Sequence, residues 1–225
     1  TPDVTAVMRE IERIAERNRR YRDFTLNSLT FAIREIIACL PVYRTYITES
    51  VEQVTPRDRR FIEMAVAEAK RRNPRTAESI FDFIGDALLL RRAEQFSAEE
   101  RAGLVEFAMN LQQVTGPVMA KGVEDTAFYN YNRLVSLNEV GGNPQQFGIP
   151  VASFHQQNAE RQRQWPHSML ASTTHDTKRS EDVRARIDVL SELPWEWRSA
   201  LGRWSRMNAG KKTLVDGEPA PDAND

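Results

Sequence analysis

The chain has 225 residues, and its 31 basic and 32 acidic side chains leave a formal net charge of −1. This balance excludes the strong global field that draws nucleic acid or an anionic membrane, so we expect neither as a partner. One cysteine, Cys39, excludes an internal disulfide framework and a multi-cysteine metal site. No P-loop or dinucleotide fingerprint occurs, and we expect no cofactor. With no apolar run of about 18 residues and no signal-peptide pattern, we expect a cytoplasmic protein.

Residues 1–115 show helical patterns with clear start signals. Apolar residues recur at helical spacing from position 4 onward, and a second such pattern ends at Pro41. Thr55 and Pro56 suit the N-cap and first turn of a third helix, a fourth begins near residue 76, and Ser97 with Glu100 has capping-box spacing. Five helices joined by short connections predict an α-helical bundle.

The chain after residue 115 has a different composition, richer in glycine and proline. Half of its ten glycines lie between positions 116 and 150, which predicts loops with special backbone angles. The apolar runs 117–120 and 168–172 are candidates for brief strands. Helices are expected from Ser153, after an N-cap at Ser180, and from Pro194. In the last of these helices, Trp195, Leu201 and Trp204 are expected to pack against the rest of the protein. The C-terminal "LVDGEPAPDAND" shows turns and no closing element. The predicted fold is mainly α, with a few short strands at most in residues 117–175.

The stretch "STTHDTKRSED", residues 172–182, carries the residue types that active sites use. One interpretation is a catalytic loop after a strand, because barrel enzymes carry their chemistry just past the strand ends. The other interpretation makes Asp176 and Ser180 local helix caps and the charged residues a solvated helix face. Spacing alone leaves the two interpretations about equal.

The stretch "KGVEDTAFYNYNRL", residues 121–134, also has two interpretations. Alternating acids and aromatic rings suit a carbohydrate subsite, in which rings stack on sugar faces and carboxylates bind hydroxyls. Alternatively, Gly122 begins a helix with acids in its first turn and aromatic side chains in the core. Spacing alone favours the helical interpretation.

Longer motifs carry a resemblance. The segments "GPVMAKGVEDTAFYNYNRLVSLNEVGGNP" and "THDTKRSEDVRARIDVLSELPWEW" closely resemble the maltooligosyltrehalose synthase family, the (1→4)-α-D-glucan 1-α-D-glucosylmutases of the α-amylase superfamily. The earlier "LPVYRTYIT" and "FDFIGDALLL" are similar to the family's helical insertion. The resemblance covers essentially the whole chain. It implies a helical insertion subdomain over 1–115 and a fragment of a (β/α)8 barrel over 116–225.

The resemblance also implies residue roles. Asp176 corresponds to the family's third catalytic carboxylate, which binds sugar hydroxyls and stabilises an oxocarbenium-like transition state. The implied substrate-binding residues are His175, Lys178, Arg179, Lys121, Glu124, Asp125 and Tyr129. No metal ligands are implied.

The implied reaction is an intramolecular transglycosylation. The reducing-end α-1,4 link of a maltooligosaccharide is broken and rejoined as an α,α-1,1 link. The family's nucleophile and general-acid motifs are absent from the sequence, so we expect a fragment that needs the rest of its parent polypeptide and is inactive alone. The competing classes are a helical module that binds glucan or protein without catalysis, and a related α-glucan hydrolase.

Overall fold

The computed structural model describes residues 4–48, 54–91, 97–144 and 146–222. The predicted mainly α-helical character is confirmed. The chain divides into two compact units, Thr1–Gly122 and Val123–Asp225.

The described part of the first unit contains five helices, and the third and fifth begin at the capping residues that the sequence predicts. Thr55 caps the third helix with its hydroxyl on the Asp58 N–H, and Pro56 occupies the first turn. The reciprocal capping box of Ser97 and Glu100 opens the fifth. The helices are α1 (Val4–Glu16), α2 (Leu26–Ala38), α3 (Pro56–Arg72), α4 (Glu78–Leu88) and α5 (Ala98–Met119).

The core of the first unit lies where the five helices α1 to α5 meet, and α3 contributes Ile62, Ala65 and Ala69 to it. Each of these helices has an apolar face with helical periodicity, and the faces turn toward one another. Side chains that are fully buried there include Ile11, Leu29, Ile33, Phe81, Ile84 and Phe107.

The prediction of a loop or brief strand at residues 117–120 is wrong. The fifth helix continues through Pro117, and a π-helical segment, Ala120–Ala127, follows without interruption. Leu111, Val114 and Thr115 stay buried, so packing continues up to the proline. Residues 117–119 therefore continue the α-helix where the sequence suggests a strand.

The second unit combines short helices with long loops. After the π-helical segment come α6 (Phe128–Asn130), α7 (Val151–Gln164), α8 (Glu181–Asp188) and α9 (Pro194–Asn208), then strands β1 (Thr213–Val215) and β2 (Glu218–Ala220). Three short 3-10 turns, Val135–Leu137, Val189–Ser191 and Ala209–Lys211, accompany them.

The strands lie outside the region in which we expect them. Within the described part of 117–175 no strand forms, and the run 168–172 is a loop in which Met169 is 94% exposed. The antiparallel pair β1–β2 instead closes a segment predicted to have no closing element. Its turn residues Asp216 and Gly217 both have positive φ, the geometry of a tight hairpin. An Asp-Gly pair is a strong hairpin signal, so this turn was predictable from the sequence.

The tryptophans of α9 do not all behave as predicted. Trp195 is 76% exposed, so it does not pin the helix. The indole of Trp197 is half-buried and meets that of Trp204 edge-on, with ring centroids 5.6 Å apart. The inward-facing tryptophan is therefore Trp197, two positions further along the helix.

Candidate active site

His175 and Asp176 occupy an exposed turn of the second unit. The turn is closed by Thr177, whose N–H and hydroxyl both donate to the Thr174 carbonyl, at 3.3 and 2.8 Å. Neither the imidazole of His175 nor the carboxylate of Asp176 is hydrogen-bonded to the part of the chain that the structure describes. Both side chains are therefore presented to solvent at the tip of a closed turn.

The interpretation of Asp176 as a helix cap is wrong. Ser180 occupies the N-cap position of α8 with extended backbone angles, but its side chain makes no capping hydrogen bond. The Thr173 hydroxyl accepts from the Glu181 N–H at 3.1 Å instead, and so satisfies the first free amide of the helix. The carboxylate of Asp176 thus remains available for another role.

Lys178 joins this turn to the π-helical segment. Its ammonium donates to an Asp125 carboxylate oxygen at 2.6 Å and lies 5.9 Å from the centre of the Tyr129 ring. The hydrogen bond to Asp125, together with the negative charge of Asp176, raises the pKa of Lys178. The Lys178 side chain is only 7% exposed, so its ammonium group is held in place by these neighbours rather than by solvent. Asp125, Tyr129 and Lys178 therefore form one cluster, and Lys178 lies two positions after Asp176 in the chain.

Glu139 contacts the backbone that follows Asp176. Its carboxylate accepts from the N–H groups of Lys178 at 2.8 Å, Arg179 at 3.4 Å and Val140 at 2.9 Å. Burial acts to raise the pKa of Glu139, but these hydrogen bonds and that from Arg184 outweigh it, and the pKa is held below its ordinary value. Glu139 is therefore an ionised carboxylate that binds the backbone of this loop.

Arg184, on α8, contacts both ends of the same loop. Its guanidinium donates to the Ser172 carbonyl, to the Arg179 carbonyl at 3.0 Å, and to Glu139 at 3.3 Å. The side chains of Glu139 and Arg184 are each 19% exposed. The sequence does not indicate either residue, because nothing in the local pattern distinguishes them from solvated charges.

In residues 121–134, the helical interpretation fits the buried side chains and the subsite interpretation fits the exposed ones. Phe128 is buried, as the helical interpretation expects, and Glu124 is buried and accepts from the Gly141 N–H at 3.4 Å. Asp125 and Tyr129 face outward, as a subsite requires. The π-helical turn thus directs one acid inward and its neighbour outward.

The remaining predicted residues differ in setting. Lys121 is exposed and belongs to the first unit. Arg179 is half-buried, and its backbone N–H and carbonyl contact Glu139 and Arg184. Within the described ranges, no three His, Cys, Asp or Glu side chains are grouped closely enough to hold a metal ion. None of the helices described is long and apolar enough to span a membrane.

Comparison with known proteins gives relatives of a single kind. Over 118 residues the chain is 52% identical to putative maltooligosyl trehalose synthases of two Mycobacterium tuberculosis strains. The maltooligosyltrehalose synthase structure from Arthrobacter ramosus matches 88% of the chain at 39% identity, with a TM-score of 0.68. A hypothetical maltooligosyl trehalose synthase of Sulfolobus tokodaii matches 92% at 29% identity and a TM-score of 0.56.

The chain resembles part of a maltooligosyltrehalose synthase. The predicted resemblance is thereby confirmed, and no protein-family profile matches the chain. The matched region covers 52% of the chain and 14% of each curated synthase, and the chain covers 22% of the Arthrobacter ramosus structure. The chain therefore corresponds to a small share of these synthases.

Proposed function

We propose that the chain is a segment of an enzyme that converts the reducing-end α-1,4 link of a maltooligosaccharide into an α,α-1,1 link. The observation that carries this proposal is the 52% identity over 118 residues to proteins named maltooligosyl trehalose synthase. The exposed turn of Asp176, set beside the Lys178–Asp125 pair, is the site at which this segment would meet the sugar.

Asp176 has the role of transition-state stabiliser in this proposal. Cleavage of a glycosidic bond develops positive charge at the anomeric carbon and the ring oxygen, and a fixed carboxylate lowers the energy of that state. The Asp176 carboxylate is exposed, so both of its oxygens are open to sugar hydroxyls. His175, its neighbour in the turn, would donate to the same sugar.

The surrounding cluster forms a sugar subsite in the proposal. Asp125 is 36% exposed in its side chain and accepts hydrogen bonds from hydroxyls, while the exposed ring of Tyr129 offers a stacking face. Lys178 orients Asp125, and its remaining N–H groups donate to the sugar. Arg179 supports this loop, and the buried Glu124 acts from beneath the surface by holding Gly141.

Other parts of the proposal depend on the resemblance alone. Lys121 keeps a substrate-binding role on that basis. Residues 1–115 are assigned to a helical insertion and residues 116–225 to part of a (β/α)8 barrel. A retaining mechanism needs a nucleophile and an acid about 5 Å apart, and we assign both to the remainder of the parent polypeptide. The isolated chain is accordingly inactive.

The proposal is tested by following reducing ends in a maltopentaose digest. An α,α-1,1 product removes a reducing end without releasing glucose, whereas hydrolysis creates reducing ends. In the enzyme polypeptide that contains this segment, Asp176→Asn is expected to lower kcat by about a thousandfold with the fold intact. Asp182→Asn, on the exposed face of α8, is the matched control and retains activity.

Four results would each contradict part of the proposal. Near-normal turnover of Asp176→Asn removes Asp176 from the chemistry, and a gain of reducing ends in the unmutated enzyme assigns it to the hydrolases. Binding of maltopentaose with no change in reducing ends indicates the non-catalytic class. Formation of a non-reducing product by the purified 225-residue chain would show that the segment is active by itself.

A further inference from the structure

We infer that Glu139 and Arg184 are positioning residues for Asp176. This inference rests on the proposed role of Asp176 and adds two residues to it. Neither residue belongs to the predicted site, and they lie 45 positions apart in the chain. Together they hold the loop 172–179, which carries the His175 and Asp176 turn.

Glu139 fixes the end of the loop. Two consecutive N–H groups, those of Lys178 and Arg179, donate to its two carboxylate oxygens at 2.8 and 3.4 Å. The N–H of Val140 donates to the same carboxylate at 2.9 Å and keeps it in place. The backbone two residues after Asp176 is thereby attached to a separate loop of the second unit.

Arg184 fixes both ends of the loop at once. One guanidinium nitrogen donates to the Ser172 carbonyl, and another donates to the Arg179 carbonyl and to Glu139. Because the guanidinium is planar and rigid, it sets the distance between the first and last residues of the loop. The partial burial of Glu139 and Arg184 strengthens these charge-assisted hydrogen bonds compared with those of exposed pairs.

Asp176 depends on this arrangement because its own side chain has no anchor within the described chain. Its carboxylate position is therefore set by the backbone of the turn, and the turn is held by Glu139 and Arg184. A misplacement of about 1 Å at a catalytic group costs on the order of 100-fold in rate. Loss of either residue is expected to reduce turnover without removing a group that contacts the sugar.

The test compares four variants in the enzyme polypeptide that contains this segment. Glu139→Gln and Arg184→Ala are expected to lower kcat for maltopentaose by about 30- to 100-fold, with KM changed by less than about threefold. Glu160→Gln breaks the exposed Glu160–Arg163 pair on α7 and is the matched control with unchanged kcat. Asp176→Asn, in parallel, tests the proposed function.

Two further readouts separate positioning from a merely structural effect. Guanidinium chloride at low millimolar concentration is expected to restore part of the kcat of Arg184→Ala but not of Glu139→Gln. Arg184 helps to keep the pKa of Glu139 low, and a lysine at this position keeps the positive charge. The decline of kcat at acid pH, its acid limb, is therefore expected to lie at nearly the same pH in Arg184→Lys as in the unmutated enzyme. In Arg184→Ala that limb moves to higher pH.

The possible outcomes are distinct. If Asp176→Asn turns over normally, the proposed function fails. If Asp176→Asn is inactive while Glu139→Gln and Arg184→Ala keep normal kcat, the positioning inference fails and the proposed function stands. Circular dichroism monitors folding, and if Glu139→Gln does not fold, the guanidinium experiment on Arg184→Ala decides: absence of rescue and an unmoved acid limb overturn the inference.

Discussion

The Lys178 ammonium lies 2.6 Å from the Asp125 carboxylate, and 53 positions of chain separate the two residues. This ion pair connects the π-helical segment to the loop that carries Asp176. Its lysine is almost fully buried as a side chain, while the aspartate keeps about a third of its surface exposed. Two polar motifs that look independent in the sequence are therefore one structural feature.

The Lys178–Asp125 pair predicts a pH-dependent contribution to stability. The folded-state pKa of Lys178 is raised, so its contribution is complete below the ordinary lysine pKa and is lost as pH rises through the folded value. Urea unfolding of the 225-residue chain is expected to show Lys178→Met as less stable at pH 8, with the difference shrinking toward pH 11. Lys211→Met, at an exposed position, is the control. A difference that is constant with pH would contradict the assignment.

Local signals in the sequence predicted local structure well. The capping box of Ser97 and Glu100 and the Thr55–Pro56 start act within one turn of helix, so their chemistry is complete within a few residues. The Asp216–Gly217 turn was equally local and was missed only because no strand was expected there.

The anchoring of the candidate site was not predictable from the sequence. Glu139 and Arg184 are identified by their hydrogen bonds to backbone carbonyl and N–H groups, most of which are distant in the sequence. Residue spacing alone does not show which charged side chains become partly buried. The run 168–172 shows the same limit for strands. It is a short apolar run, but a strand forms only when a neighbouring strand offers hydrogen bonds.

The side chain of Gln112 is predicted to contribute strongly to the stability of the first unit. Its side-chain amide accepts from the Ile47 N–H at 2.8 Å and donates to the Ile47 carbonyl at 2.7 Å, and it also accepts from the Thr45 hydroxyl. Gln112→Leu leaves these buried groups unsatisfied and is expected to lower the free energy of unfolding by about 3 kcal/mol. Gln113→Leu, one position along and exposed, is expected to change it by less than about 0.5 kcal/mol. Equal effects in urea titrations would refute this role.

Gly142 is predicted to tolerate no side chain. A Cβ at this position would lie 2.8 Å from the backbone carbonyls of both Glu139 and Leu137. Gly142→Ala must therefore displace the Glu139 loop and is expected to destabilise the chain by about 1–3 kcal/mol. Gly103→Ala, in the interior of α5 with open space around it, is expected to stabilise by about 0.5–1 kcal/mol. Thermal unfolding that shifts in the same direction for both variants would contradict this difference.

Glu10 is predicted to destabilise the folded chain at neutral pH. It is 7% exposed between α1 and α5, with one oxygen near Asn110 at 3.4 Å and the other without a hydrogen bond. Burial raises its pKa, the Asn110 hydrogen bond lowers it, and the Glu106 charge raises it again, with a net rise. The folded state therefore holds this proton more tightly than the unfolded state, and stability falls as pH rises through the interval between the two pKa values.

Glu10→Gln removes this penalty while preserving shape. The variant is expected to be more stable than the unmutated chain by about 1–2 kcal/mol at pH 7, because a buried charge is replaced by a neutral amide. The gain should shrink as pH falls and disappear below about pH 3, where Glu10 is protonated in both states. Glu12→Gln, on the same helix and without a hydrogen-bond partner among the described residues, is the control, and urea titrations at pH 3 to 8 measure all three proteins. A variant that is less stable than the unmutated chain at pH 7 would show that the Glu10 carboxylate is favourably bound.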